Sequence, residues 1–123
     1  MTDDALLAAR ALVVRDLSAS GQDTAAVVSS VEDAVAERSW WVREWPDGAR
    51  FIAGQLAQDV QEALLEQHGV RWPRCPGTPG CDAGSGHELH ISPDLGEDPH
   101  WVCEESATAL ARLGHLGSPP GAS

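Results

Sequence analysis

Between Cys75 and Cys103 the chain reads CPGTPGCDAGSGHELHISPDLGEDPHWVC. All three cysteines (Cys75, Cys81, Cys103) and three of the five histidines (His87, His90, His100) fall in this stretch. Proline and glycine crowd it, so it offers little apolar surface to bury, and a segment of that kind needs a cross-link to hold a fold. Three thiols cannot close a disulfide framework without leaving one over. Thiolate and imidazole together suit a four-coordinate zinc ion. The spacing Cys75-x5-Cys81-x5-His87 brings three donors from a turn-rich region, and Cys103 returns beside them at the end of a strand candidate. The expected ligand set is therefore Cys75, Cys81, His87 and Cys103, a closed and hence structural Cys3His site. His90 is the alternate for the fourth place; side chains three apart on a strand point to opposite faces, which favours one histidine over both.

The rest of the chain reads as helix. Residues 5–19 place Leu6, Arg10, Val13 and Leu17 on one face, with Leu7 and Val14 beside them and Asp3 or Asp4 as cap. Asp23 is the expected cap of a second helix over 24–38, whose four valines make it weak in isolation. Trp40–Trp45 fits either a continuation of that helix to about Trp45 or a short strand, and the helix is preferred. Asp47 is the expected cap of the longest amphipathic run, 48–67, with Phe51, Ile52, Leu56, Val60, Ala63 and Leu64 inward and Gly69 closing it. After a loop over 82–86, strands are expected at Glu88–Ser92, Pro99–Cys103 and Thr108–Leu113, although the last is also a good helical string.

The fold class is thus α+β: a helical body of about three helices over residues 1–70 and a small zinc-ribbon-like β-meander over 71–116 packed on it. Residues 117–123 (GSPPGAS) read as a disordered tail. No apolar run reaches bilayer length, and the start, MTDDALLAAR, carries aspartates where a signal peptide would be basic, so the expected location is the cytoplasm.

Charge narrows the function. The chain has 19 acidic residues against 8 arginines, a formal net charge of −11, which disfavours phosphate backbones and hence nucleic acid, even with Arg71, Arg74 and Trp72 adjacent. It contains no lysine, which excludes Schiff-base chemistry and the P-loop lysine. The string His87-Glu88-Leu89-His90 misses the zincin H-E-x-x-H by one residue, and Gly86 and Pro93 leave no room for its helix. No CxxC pair supports a redox couple, and the acid pairs Asp3-Asp4, Glu97-Asp98 and Glu104-Glu105 read as solvated.

Trp72-Pro73-Arg74-Cys75-Pro76, then His87-Glu88-Leu89, then Trp101-Val102-Cys103 and a final Gly114-His115-Leu116 form a recognisable series. It resembles small uncharacterised actinobacterial proteins with a W-P-x-C-P, H-P-L, W-x-C and G-x-L pattern. The likeness covers roughly residues 56–116, and Asp59–Leu64 is similar to the segment that precedes the pattern there. Glu88 stands where that pattern has proline, and Glu104 where it has a second proline. The resemblance implies a metal-binding fold and supplies no activity.

The expected function is non-enzymatic: a zinc-stabilised, acidic protein-interaction module, adaptor or regulatory, whose partner is another protein or a second copy in a homodimer. Trp40 and Trp41 cannot both face inward on one element, so one of them is the expected partner-binding anchor. The alternative is a zinc-dependent hydrolase in which His87, His90 and one or two cysteines hold an open site and Glu88 or Glu104 is the base.

Overall fold

The computed structural model describes residues 2–76, 81, 87–93 and 95–116. Three helices come first: α1 (Thr2–Ala19), α2 (Ala25–Glu44) and α3 (Ile52–His68), with a 3₁₀ segment at Pro46–Phe51 between the last two. Three strands follow, β1 (His90–Ser92), β2 (His100–Cys103) and β3 (Thr108–Arg112), forming an antiparallel sheet in the order β1-β2-β3. The architecture is α+β, a helical body followed by a small sheet. The expected loop over 82–86 and the expected tail over 117–123 lie outside the described residues. Among the described residues, no helix is long and apolar enough to cross a membrane.

The helix starts differ from the sequence expectation. α1 begins at Thr2, so Asp3 and Asp4 stand inside its first turn instead of capping it. Thr24, not Asp23, caps α2, its hydroxyl accepting from the Val27 amide at 3.3 Å. Asp23 is engaged elsewhere, accepting from the Ser18 hydroxyl at 3.0 Å and so tying the end of α1 to the turn. Asp47 caps no α-helix, because the chain from Pro46 winds as 3₁₀ with the Trp45 ring packed on Gly48, and α3 starts only at Ile52. The helix through the tryptophans runs to Glu44, and Gly69 closes α3 in the left-handed conformation.

Each helix packs on the other two, and β1 packs on α3. One continuous core results, from Leu6, Val13 and Leu17 of α1 through Val31, Val42, Leu56 and Val60 to Leu89, Ile91 and Trp101 of the C-terminal segment. Leu7, expected beside this stripe, is instead exposed. It projects from α1 on the solvent side of the Leu6 line.

Among the described residues, two polar side chains are buried, Ser30 and Asp16, and Asp16 is the charged one. Asp16 is only 1% exposed, and its carboxylate accepts from the Trp101 indole N–H at 2.8 Å, the Gly114 amide at 2.7 Å and the Leu116 amide at 2.9 Å. A buried carboxylate is tolerated when donors replace its lost water, and these three do so. Gly114 has φ 92° and sits so close to α1 that a Cβ would fall 2.4 Å from Leu12 Cδ2, so only glycine lets its amide reach Asp16. The neighbouring Ser20 hydroxyl donates to the Asp16 carbonyl at 2.8 Å and accepts from the Trp72 indole at 3.1 Å. Trp72 in turn meets Trp101 edge to face, centroids 5.2 Å apart.

Asp16→Ala therefore strands three donors in the interior, and equilibrium urea unfolding should show a loss of about 3–5 kcal/mol. A loss below about 1 kcal/mol, the range of ordinary surface changes, would contradict the role given to this carboxylate.

Candidate metal centre

The approach to the site is set by backbone pairing. The Leu89 amide donates to the Pro73 carbonyl at 2.7 Å and the Cys75 amide to the His87 carbonyl at 3.0 Å, with Arg74 and Glu88 bridged between them. This short antiparallel pairing puts Cys75 beside His87. Gln61 of α3 fixes it from the helix side, its Nε2 donating to the Trp72 carbonyl at 3.1 Å and the Leu89 carbonyl at 2.8 Å. Cys103 arrives at the end of β2, opposite Thr108 of β3.

The structure brings Cys75, Cys81, His87 and Cys103 together, with one donor atom from each lying within 4.8 Å of all the others. Cys75 Sγ is 3.7 Å from Cys81 Sγ; His87 Nε2 is 3.7 Å from Cys81 Sγ and 3.5 Å from Cys103 Sγ. A tetrahedral zinc ion with Zn–S of about 2.3 Å and Zn–N of about 2.0–2.1 Å requires edges of about 3.5–3.8 Å between its ligands. The residues fit such an ion in donor type, and these three separations match its edges. Cys75 and Cys103 are buried, Cys81 and His87 partly so, which shields the group from bulk water.

The surroundings polarise the thiols unequally. The Ser106 hydroxyl and amide donate to Cys103 and, with help from His87 and Cys81, hold its thiol down at about 5 despite burial. Burial pushes Cys81 up to about 12, and its contacts with Cys103 and Cys75 push the same way. Cys103 is thus poised as a thiolate at neutral pH, whereas a metal ion would have to displace the proton of Cys81. His87 Nδ1 lies 3.8 Å from the Glu105 carboxylate, within ion-pair reach but beyond hydrogen-bond distance.

The alternate histidine lies apart. His90, on β1, is outside this group, and its Nδ1 is buried with no hydrogen-bond partner among the described residues. Trp40 is 57% exposed at the end of α2, whereas Trp41 is half-buried, edge-to-face with Trp45 at 5.1 Å and beneath the Arg38 guanidinium. Gln61, Asp16, Glu105 and Ser106 were not legible as site residues. Gln61 reads as a filler of the polar helix face, and a carboxylate flanking the apolar line of α1 is the only hint of Asp16.

A family model described as a domain of unknown function, DUF8819, matches residues 2–113, and the chain belongs to that family. The match takes in the three helices, the sheet and all four clustered donors. No curated protein and no solved structure gave a match.

Metal-stripped protein should carry a thiolate ultraviolet absorbance at neutral pH. Because the Cys103 value lies below that of a free thiol, the signal persists as pH falls and disappears only on acidification through about 5. Cys103→Ser should abolish it, and Ser106→Ala should move its midpoint upward. A titration showing no thiolate until the ordinary cysteine range, about 8.5, would contradict the assignment.

Proposed function

We propose that the four donors hold one structural zinc ion and that the protein is a non-enzymatic interaction module. The observation that carries the reading is the convergence of three sulfurs and one imidazole nitrogen within 4.8 Å of one another. Four protein ligands fill zinc's usual coordination and leave no position for a reacting water, as in structural sites. An ion held there adds several kcal/mol to a segment that buries little of its own. Three reduced thiols suit the cytoplasm.

Partner recognition falls to the end of α2. Trp40 and Trp45 are 57% and 43% exposed, and large aromatic side chains left open beside charged residues are typical anchors of protein interfaces. Trp41 supports Trp45 from within. With a net charge of −11, the surface favours a protein partner or a second copy over nucleic acid.

Elemental analysis of the purified protein should find one zinc per chain, retained by His90→Ala and lost from Cys75→Ser and His87→Ala. X-ray absorption should resolve three sulfurs and one nitrogen. Three protein ligands plus an oxygen would instead support a hydrolytic site, and equal metal content in all variants would remove the ion from the account. A photo-crosslinking residue at position 40 should give a discrete protein adduct in cells that the same residue at exposed Ala26 does not. No adduct at position 40 would count against the anchor.

A further inference from the structure

A cleft of about 430 Å³ opens on the other side of the metal segment, between the end of α1, the Pro73–Pro76 turn and β3. Its volume lies within the range of about 300–1,000 Å³ usual for small-molecule sites. The walls are mostly apolar, made by Pro73, Leu89, Leu110 and Leu116 with Ser20 among them, and the one charged residue lining the cleft is Arg74.

Arg10, Arg38, Arg50, Arg71 and Arg112 each have a carboxylate partner. Of the eight arginines, Arg15, Arg43 and Arg74 have no ion-pair partner among the described residues, and of these three Arg74 lines the cleft. Glu88, its partner across the backbone bridge, turns its carboxylate to Arg71 at 3.9 Å. The net negative charge opposes an anion at long range, but salt screens exposed charges beyond about 8 Å. Among the described residues, the one charged side chain that lines the cleft is positive.

We propose that this cleft binds a small amphipathic monocarboxylate, an acyl or aryl body lying on the apolar walls and its carboxylate paired with the Arg74 guanidinium. A guanidinium presents a planar fork matched to a carboxylate, and the apolar body supplies the remaining affinity by burial. This site is separate from the proposed zinc ion and needs only that the segment be folded.

The test uses the full chain with its metal bound and sodium octanoate as probe, followed by amide chemical shifts at about 0.15 M ionic strength, where the net charge is screened. Saturable shifts should be confined to residues around Ala19, Arg74, Leu89 and Leu110–Leu116. Octanamide, which lacks the charge, and Arg74→Gln should each weaken binding about tenfold, the usual effect of losing a charged hydrogen bond. Metal content and the spectrum of free Arg74→Gln should match the parent, which separates this outcome from loss of the metal site. Absence of saturable shifts, shifts elsewhere, or equal affinity for octanamide would overturn the proposal. So would binding of a leucine-terminated peptide acid with none of octanoate, which would make the cleft a seat for a partner's chain end.

Discussion

A carboxylate without water needs donors, and the way Asp16 finds them decides how the two halves of this protein meet. Its three donors come from Trp101 on β2 and from Gly114 and Leu116 just beyond β3, about a hundred residues away along the chain. A shift of the sheet by one residue would take the indole N–H and both amides out of reach. The same buried charge that costs energy when unpaired thus fixes one placement of the sheet on α1. Apolar contacts alone, among Leu17, Leu64, Leu89 and Trp101, would tolerate several.

The metal segment is assembled on that platform from the α3 side. Gln61 holds the two short stretches 72–75 and 87–89 in register by their carbonyls, so Cys75 and His87 approach before any ion is considered. Trp101 and Cys103 are two apart on β2, and both are buried. The strand therefore reaches Asp16 with one residue and the donor cluster with the other, which links the buried carboxylate and the metal group through a single rigid element. Cys103 enters as a thiolate because Ser106, in the turn after β2, donates to it twice. The fold thus places negative charge where a cation could be held.

Much of this was readable from residues alone. Three helices, three short strands and the grouping of Cys75, Cys81 and Cys103 with His87 rather than His90 follow from periodicity, turn residues and donor chemistry. Capping was read less well. Asp23 and Asp47 are good caps by type, yet Ser18 occupies the first and a 3₁₀ turn bypasses the second, and both are tertiary facts. Asp16 and Gln61 were the larger omissions. A carboxylate and an amide on helices are ordinarily solvated, and only the partners brought in by the fold, from far along the chain, turn them inward. Leu7 was missed for the opposite reason: helical spacing places it near the stripe but cannot tell how wide the covered face is.

The central claim is that a metal ion and a buried carboxylate together hold a proline- and glycine-rich segment on a helical body. Amide hydrogen exchange, compared between metal-bound and chelated protein, tests it most directly. The account predicts that amides of residues 74–75, 87–92 and 100–103 exchange at least about tenfold faster once the ion is removed, while those of α2 and α3 change little. Identical protection in the two states would show that the segment keeps its structure without an ion, and would contradict it.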